Sequence, residues 1–258
     1  MERLLCPLRY SLRSVPQVSS SLNLGTVNYQ EYNTNKDYNG EIVMLANIPN
    51  ATLKRLALYR RCFVELHNKK IKRIQSRELS QIIAVDSATI RRDFSYLGEL
   101  GRQGYGYEVK VVLEAFNDLL KTQDAQHCVL IGVGDLGRAL LKYFSSDKFK
   151  NLAFKTPVDL VAGFDIQEDL VGTSIGDLPV YHSDDLKTYI INNGITYAIL
   201  AVPPTAAGAV ASSLEGIGIK GILNLSSTMI NVSEEIKVHE VDLNMELETL
   251  FFYVLQKE

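Results

Sequence analysis

The sequence predicts an α/β chain, in which a small helical domain precedes a larger domain built on a doubly wound parallel sheet. The main observation is a glycine motif, Gly132 to Gly137, that follows a short apolar run and opens a helical pattern. Beyond this motif, apolar segments of strand length alternate with helical segments, as they do in folds with parallel strands. Before it, residues 51–107 are basic and show the apolar spacing of short helices.

The glycine motif lies between a predicted buried strand, Val129–Ile131, and a predicted helix. In the spacing G-x-G-x-x-G, the first glycine permits a tight turn, the second permits close approach of a pyrophosphate, and the third permits close packing of helix on strand. The N–H groups at the start of the helix favour an anion. The motif therefore predicts a Rossmann-like, dinucleotide-binding domain, with the loop residues Gly132, Val133, Gly134, Asp135, Leu136 and Gly137.

A second predicted strand, Val158–Asp165, ends in a carboxylate. An acid at this position of a dinucleotide-binding fold accepts hydrogen bonds from the adenosine ribose and repels a 2′-phosphate, so Asp165 favours NAD(H) over NADP(H). It follows Gly137 by 28 residues. Because the usual distance is about 20, we expect a loop inserted around residues 145–157. A solvated acid at a strand end is the alternative for Asp165.

The alternation continues with predicted helices over residues 184–193 and 206–215 and predicted strands over residues 195–202 and 221–225. Doubly wound sheets hold their ligands outside the carboxyl ends of the strands. We therefore expect Val202, Pro203 and the segment 224–228 to line the nucleotide site.

Charge divides the chain into two parts. Residues 51–107 contain twelve Lys and Arg against five Asp and Glu, whereas residues 108–258 contain eleven against twenty-one, within a net charge of −3. A basic part joined to an acidic one indicates two modules with different partners, and a polyanion is the expected partner of the first. A solvated, basic helical face is the alternative.

The basic part has the layout of a helix-turn-helix domain. Ser76 is predicted to cap its second helix, and Asp86 or Ser87 its third. Apolar residues at helical spacing predict the buried faces, which are formed by Leu56, Tyr59, Phe63 and Leu66 on the first helix and by Ile90, Phe94 and Leu97 on the third.

A glycine-rich stretch, residues 98–107, follows the third helix and predicts, with residues 108–112, the hairpin wing of a winged helix. The third helix would enter the major groove of double-stranded DNA, where arginines reach guanine edges or phosphates. A three-helix bundle with a glycine loop is the alternative. The residues predicted to contact DNA are Ser87, Thr89, Arg91, Arg92, Ser95, Tyr96, Arg102 and Tyr105.

The end of the chain, residues 241–258, is predicted to form a helix with one strongly apolar face. This face is too apolar to remain in water, and a partner subunit is its expected cover. A homodimer with a C-terminal dimerisation helix is therefore expected. No apolar run reaches the length of a membrane span, so no membrane partner is expected. The apolar face consists of Leu247, Leu250, Phe251, Val254 and Leu255.

The three cysteines and four histidines of the chain form neither a metal-ligand pattern nor a disulfide framework. We therefore expect no metal and a reducing, cytoplasmic setting. The main alternative function is an NAD-dependent dehydrogenase with a basic accessory domain, which needs a proton donor or acceptor beside its substrate. Because no histidine lies in a recognisable catalytic motif, we expect a regulator rather than an enzyme. The histidines are His67, His127, His182 and His239.

The segment from Asp86 to Tyr107 resembles the recognition helix and wing of the Rex family, the bacterial redox-sensing transcriptional repressors, and the resemblance extends from about Ile48 to the end of the chain. It implies a homodimer that binds a palindromic operator and releases it when NADH binds, derepressing fermentative or respiratory genes. It also implies that the terminal helix is exchanged between subunits. A redox network is implied for Arg61, Tyr143 and Asp242, with Tyr143 close to the nucleotide.

Three positions depart from the Rex pattern. Asp135 stands where the family usually has a polar or basic residue, and its carboxylate is unfavourable beside a pyrophosphate, although Arg138 follows one turn later. Residues 204–207 and 225–227 also differ from the family sequence, and they line the nicotinamide end. A Rex paralogue with a weakened redox response is therefore a second alternative.

Five segments are predicted along the chain. Residues 1–43 form a disordered extension, or lie upstream of a true start at Met44. The others are a winged-helix DNA-binding domain (residues 44–112), a linker helix (residues 113–125), a Rossmann-like NAD(H)-binding domain (residues 126–240) and a dimerisation helix (residues 241–258).

Overall fold

The structure is a computed structural model that describes residues 34–36, 42–44, 48–102, 104–120, 126–146 and 158–256. The chain forms two units, and the boundary between them lies between Gln123 and Asp124. Within the predicted N-terminal extension, the structure describes strands β1 (Thr34–Lys36) and β2 (Ile42–Met44), which pair antiparallel. The rest of that extension, including its predicted disorder, lies outside the described residues.

The N-terminal unit has the helices and the hairpin that the sequence predicts. Its described helices are α1 (Asn50–Asn68), α2 (Ser76–Ile83), α3 (Ser87–Ser95) and α4 (Val109–Leu119). Its described strands beyond β2 are β3 (Arg73–Ile74), β4 (Gly101–Arg102) and β5 (Gly106–Glu108). These three strands form an antiparallel sheet in the order β3-β5-β4, in which β4 and β5 correspond to the predicted wing.

Phe94 on α3 lies at the centre of this unit's core. Its ring contacts those of Tyr59 and Tyr107 edge-on, with 5.1 and 4.7 Å between ring centroids. Every residue that the sequence assigns to the apolar faces of α1 and α3 is buried. The apolar period therefore identified the inner face of both helices correctly, because each helix buries one stripe in a common core.

Helix α2 begins one residue earlier than predicted, so the prediction of Ser76 as its N-cap was wrong. Ser76 is the first residue of the helix and Gln75 is the cap. The Gln75 side chain accepts a hydrogen bond from the backbone of Glu78, and the Glu78 carboxylate accepts one from the Gln75 N–H at 2.8 Å. This reciprocal capping box satisfies two N–H groups at once, which a single serine cap does not.

The predicted wing strand over residues 108–112 and the linker helix over residues 113–125 were also wrong in their bounds. Strand β5 ends at Glu108 and α4 begins at the next residue. Val-Lys-Val-Val fits a strand locally, but Val109, Val112, Leu113 and Phe116 repeat at helical spacing and are all buried. Helix α4 therefore belongs to the winged-helix core and packs against α1.

The C-terminal unit is built on a seven-stranded sheet. Its strands are β6 (Gln126–Ile131), β7 (Val158–Asp165), β8 (Ser174–Ile175), β9 (Leu178–His182), β10 (Tyr197–Leu200), β11 (Gly221–Asn224) and β12 (Lys237–Glu240). They lie in the order β12-β11-β10-β6-β7-β9-β8, and all neighbours are parallel except β8 and β9. This is the order of a doubly wound sheet with an antiparallel edge strand, so the predicted fold class is confirmed.

The first three helices described in this unit lie between strands along the chain, and the fourth follows the last strand, β12. They are α5 (Asp135–Ser145), α6 (Leu186–Asn193), α7 (Pro204–Ser213) and α8 (Leu243–Leu255). Helix α7 begins two residues before its predicted start, because Pro204 occupies the first turn, where its missing N–H has no helical partner to lose. Helix α6 follows a 3-10 turn, Ser183–Asp185, that accounts for its later start.

Strand β7 has the predicted bounds, whereas β8, β9 and β12 were not predicted. β12 is an edge strand whose side chains are mostly exposed, so it lacks an apolar run. β9 contains Pro179, and a proline argues against a strand in a sequence pattern. The structure pairs Pro179 with Ser174 of β8 at the end of the sheet.

The two faces of β6 pack into two cores. Val129 and Ile131 belong to one cluster, and Cys128 and Leu130 to the other. Burial raises the pKa of the Cys128 thiol to about 12. The thiol is therefore protonated at neutral pH, and it behaves as a small apolar core residue.

Helix α8 is an unusual element of this unit, because none of its thirteen residues is buried. Its large apolar side chains are half or more exposed, as Leu247 (64%) and Phe251 (60%) illustrate. Among the described residues, none of the helices combines the length and the apolar content that crossing a bilayer requires.

Candidate functional site

The glycine loop, residues 132–137, leaves the central strand β6 at the point where the strand order reverses. β6 lies between β7 and β10, and the Ala201 N–H that follows β10 donates to the Ile131 carbonyl oxygen at 2.8 Å. On the other side, the Gly132 N–H donates to the Phe164 carbonyl oxygen at 2.9 Å. Doubly wound sheets bind their ligands at this reversal, outside the carboxyl ends of the strands.

A side chain would meet different surroundings at each of the three glycines of the loop. Gly132 has φ +94°, and a Cβ there would lie 2.5 Å from the Ala201 carbonyl oxygen. A Cβ on Gly137 would collide with the Gly132 carbonyl oxygen, whereas a Cβ on Gly134 would meet no atom within 4 Å. The first and third glycines are therefore required by the fold itself, and the second faces open space of the kind that a pyrophosphate occupies.

Asp165 is tied directly to the glycine loop. It is buried, with 9% of its surface exposed. One carboxylate oxygen accepts a hydrogen bond from the Val133 N–H at 2.6 Å, and the other accepts one from the Gln167 N–H at 3.0 Å. A carboxylate has about four acceptor positions, so Asp165 retains capacity for a ribose hydroxyl. This arrangement does not fit the alternative of a solvated acid at a strand end.

The first turn of α5 combines opposite charges. Asp135 is the first helical residue and is exposed, and Leu136 beside it is 42% exposed. Arg138 turns back along the loop, where its Nε donates to the Val133 carbonyl oxygen at 3.2 Å. The helix dipole favours the carboxylate at this end, whereas a pyrophosphate bound there would repel it.

Two further predicted nucleotide contacts lie on the same unit. Val202 is half-buried after β10, and its Cγ1 would lie 3.0 Å from a Cβ on Gly132, so the structure brings these two positions together. Pro203 is exposed and precedes α7. Tyr143 is 60% exposed in the third turn of α5, and its ring contacts Phe144 edge-on.

The predicted DNA-reading helix, α3, is capped by Asp86. Its carboxylate accepts hydrogen bonds from the Ala88 and Thr89 N–H groups at 3.0 and 2.9 Å, and also from the Thr89 hydroxyl. These hydrogen bonds, led by the one from the Thr89 side chain, hold the pKa of Asp86 below its usual value. Asp86, rather than Ser87, is therefore the cap.

The outer face of α3 carries the predicted DNA contacts. Arg91, Arg92 and Ser95 are exposed, whereas Ser87, Thr89 and Tyr96 are half-buried. Arg91 lies near the start of α2, where its Nη1 donates to the Ser76 hydroxyl at 3.3 Å. The wing adds Tyr105, 68% exposed, with the Arg73 guanidinium 5.7 Å from its ring centroid. The side chain of Arg102 lies outside the described residues.

A buried carboxylate that sequence reasoning missed joins α3 to α1. Asp93 is 2% exposed, and it accepts hydrogen bonds from Arg55 at 2.6 and 2.8 Å, from Tyr59 at 2.5 Å and from Thr52 at 2.9 Å. Burial alone would raise the pKa of Asp93, but these hydrogen bonds together hold it below its usual value. A polar stripe at positions 52, 55 and 59 of α1 was the available signal.

The three residues of the implied redox network lie in both units. Arg61 is exposed on α1, with its Nε 3.8 Å from a Glu65 carboxylate oxygen. Asp242 caps α8 and accepts hydrogen bonds from the Asn244 and Met245 N–H groups at 2.8 and 3.3 Å. Arg61 belongs to the N-terminal unit, and Tyr143 and Asp242 to the C-terminal unit. A contact among them stays a prediction.

Family comparisons agree with these two units. One family model, described as "Putative DNA-binding protein N-terminus", matches residues 47–95, and another, "CoA binding domain", matches residues 123–228. A curated relative, the redox-sensing transcriptional repressor Rex of Staphylococcus carnosus (strain TM300), is 42% identical and covers 81% of this chain and 94% of its own. The chain belongs to the Rex family. The predicted family is confirmed, and Rex relatives are named as transcriptional repressors rather than enzymes.

Solved Rex structures have the same fold. RSP, a Rex-family repressor, has been solved in complex with β-NAD+ and operator DNA, with a TM-score of 0.72, 31% identity, and coverage of 81% of this chain and 94% of RSP. RSP in complex with β-NADH gives a TM-score of 0.70 and 29% identity, with coverage of 82% and 96%. The likeness therefore spans most of both chains.

Proposed function

We propose that this chain is a transcriptional repressor that binds its operator DNA and releases it when NADH binds. The proposal rests on two features of one chain of the Rex family. The glycine loop is hydrogen-bonded to Asp165, and the capped helix α3 exposes Arg91 and Arg92. NAD(H) is then a sensed ligand and not a cosubstrate. The repressor acts in the cytoplasm, where fermentative or respiratory genes are its targets.

The nucleotide half of the proposal rests on the fit between the loop and a dinucleotide. Gly134 leaves open space beside N–H groups at the start of α5, which suits a pyrophosphate. Asp165 favours a free ribose 2′-hydroxyl over a 2′-phosphate, so NAD(H) fits better than NADP(H). RSP, which binds both β-NAD+ and β-NADH, supports this choice.

The assembly is proposed to be a homodimer on a palindromic duplex. An apolar helix with no buried residue is not stable against water, and a second copy of the chain covers it by symmetry. Two winged helices related by a two-fold axis then read two half-sites through their α3 helices. The exchange of α8 between subunits is part of this proposal.

The proposed switch is a pair of arrangements that NADH and DNA favour differently. A ligand shifts such an equilibrium only by its difference in affinity for the two states. Asp242 pairs with Arg61 in one arrangement and with Tyr143 in the other, which would give two discrete states. All three side chains are charged or polar and at least partly exposed.

A paralogue with a weakened redox response is a second candidate. The observation that favours it is Asp135, an exposed carboxylate in the first turn of α5, where it would face the pyrophosphate. Repulsion there lowers the affinity for both NADH and NAD+.

Operator binding titrated with each nucleotide distinguishes these candidates. A palindromic duplex selected by the protein from a random pool is bound by the full chain, and NADH or NAD+ is added while anisotropy is followed. Release by NADH at concentrations where NAD+ has no effect supports the repressor. Indifference to both nucleotides supports the paralogue, and consumption of NADH with a carbonyl substrate would overturn both.

A further inference from the structure

The ends of β11 and β12 are joined by one side chain. The two strands are parallel neighbours, with Asn224 paired to Glu240, so both end at the same edge of the sheet as the glycine loop. Asn224 is followed by the segment 225–228, and Glu240 by Val241 and the cap residue Asp242. The chain that follows β11 therefore lies at the carboxyl edge of the sheet, and the chain that follows β12 leads into α8.

The side-chain amide of Asn224 makes four hydrogen bonds at this junction. It is 1% exposed. Its Nδ2 donates to the Thr228 carbonyl oxygen at 2.7 Å and to a Glu240 carboxylate oxygen at 2.5 Å. Its Oδ1 accepts hydrogen bonds from the Ser226 N–H at 3.1 Å and the Ser226 hydroxyl at 2.6 Å. Both donor hydrogens and both acceptor positions of the amide are therefore engaged.

The backbone completes the connection to α8. The Val241 N–H donates to the Asn224 carbonyl oxygen at 2.9 Å, so Asn224 holds the side chain of Glu240 and the backbone of the residue after it. The next residue, Asp242, caps the helix. Only one residue, Val241, separates the side chain that bonds Asn224 from the cap of α8.

The segment 225–228 lies where the second half of a dinucleotide is expected. The Leu225 N–H donates to the Leu200 carbonyl oxygen at the end of β10, the strand beside the glycine loop. In a doubly wound sheet the second mononucleotide-binding half lies over the strands beyond the reversal. Ser227 within the segment has φ +53°, so its backbone is held in a conformation that serine rarely adopts.

We infer that Asn224 is a positioning residue that couples the nicotinamide half of the nucleotide site to α8, with Glu240 as its partner. This inference rests on the proposed function. A nucleotide that displaces the segment 225–228 changes the hydrogen bonds of Asn224, and these also hold Glu240 and Val241. The start of α8 then takes part in the same two-state equilibrium as the nucleotide site.

Glu240 offers the cleaner test, because it is exposed and its loss does not leave a hole in the core. Glu240→Ala removes the acceptor, while Glu240→Gln keeps an amide oxygen that accepts from Asn224. Three quantities are measured: the melting temperature, the NADH dissociation constant from the fluorescence of NADH itself, and the operator affinity with and without saturating NADH. We expect unchanged NADH affinity for both variants. The melting temperature should be unchanged in Glu240→Gln and lower in Glu240→Ala, which leaves a buried N–H of Asn224 without its acceptor. The ratio of the two operator affinities falls by about tenfold in Glu240→Ala and stays at the wild-type value in Glu240→Gln.

Two results would count against the inference, and they differ from a failure of the proposed function. The inference would be overturned if Glu240→Ala kept the wild-type ratio of operator affinities without and with NADH. It would also be overturned if Glu240→Ala and Glu240→Gln lowered this ratio by the same factor. A wild-type protein that holds its operator equally with and without NADH would overturn the proposed function, and this inference with it.

Discussion

At the scale of single residues, the N-terminal unit depends on a buried carboxylate. Asp93 lies two residues after Arg91 on α3, the predicted DNA-reading helix, and its partners Thr52, Arg55 and Tyr59 all lie on α1. Because a buried charge is stable only with its hydrogen-bond partners in place, the four side chains fix the angle and register of α3 on α1. The exposed arginines are therefore held by a polar cluster beneath them.

Removal of this carboxylate destabilises the N-terminal unit. Asp93→Ala leaves the Arg55 guanidinium, 21% exposed, and the Tyr59 hydroxyl without their acceptor. We expect the free energy of unfolding to fall by about 3 kcal/mol, the cost of breaking a buried pair from one side. Urea unfolding followed by circular dichroism measures it. Asp118→Ala, an exposed position on α4, is the control, and an equal loss in both variants would contradict the assigned role.

The same residue predicts a pH dependence. The folded-state pKa of Asp93 lies below its usual value, so its contribution to stability is full above about pH 4, the unfolded value, and is lost as the pH falls further. Wild type should therefore melt well above Asp93→Asn at pH 7, and the difference should shrink at pH 3. Calorimetry at both pH values tests this. A difference independent of pH would show that ionisation of Asp93 contributes nothing.

At the scale of elements, the glycine loop contains one glycine that the fold requires, Gly137, and one that ligand binding is expected to require, Gly134. The collision that a Cβ on Gly137 would make is with backbone, whereas the position beside Gly134 is open. Sequence reasoning could find this loop because its motif lies within six consecutive residues. It missed the contacts of Asp93 and Asn224, because their partners are 34 to 41 and up to 16 residues away in the sequence.

Alanine at the two glycines should therefore give opposite results. Gly137→Ala forces backbone apart and should cost about 2 kcal/mol of stability, as overpacking does. Gly134→Ala should leave the melting temperature unchanged and weaken NADH binding by roughly tenfold, about 1.4 kcal/mol, because its methyl group occupies the place of the pyrophosphate. Thermal melts and fluorescence titration with NADH measure the two quantities. Loss of stability in Gly134→Ala would argue against an open ligand space there.

Helix α3 gives a corresponding prediction for DNA. Arg92 is exposed on the outer face, so Arg92→Ala should leave stability unchanged and weaken operator binding by about 1–3 kcal/mol. If Arg92 contacts a phosphate, the slope of log affinity against log salt also decreases by about one. Anisotropy titrations at several salt concentrations check both values. Lys110→Ala, an exposed basic residue on α4, serves as the matched control, and equal weakening by both would indicate a non-specific charge effect.

At the scale of the whole molecule, the proposed dimer depends on α8. Phe251→Glu places a charge on its apolar face, and an unpaired charge in an apolar interface costs about 3 kcal/mol, so we expect the dimer dissociation constant to rise by roughly 100-fold. Sedimentation velocity across a concentration series measures this, and operator affinity should fall with it. Glu248→Gln on the same helix should change neither. A Phe251→Glu chain with wild-type association would show that another surface joins the copies.

The alternation of parallel strands and helices was within reach of the sequence, but strands β8, β9 and β12 were not. Strands β6, β7, β10 and β11 are apolar runs because they are covered on both faces, and helical segments separate them. The edge strand β8 has two residues, the edge strand β12 is mostly exposed, and β9 contains Pro179, so pairing alone defines these three strands. The same applies to α4, whose helical period overrides a strand-like local composition.

The hydrogen bond between Asp165 and the Val133 N–H has a thermodynamic consequence for a sensor. It fixes the glycine loop in its working conformation in the unliganded chain, so an arriving nucleotide loses little free energy to ordering the loop. More of the binding free energy is then available to separate the two states of the protein. Preorganisation at the adenosine end thus increases the share of binding energy that is left for the switch at the nicotinamide end.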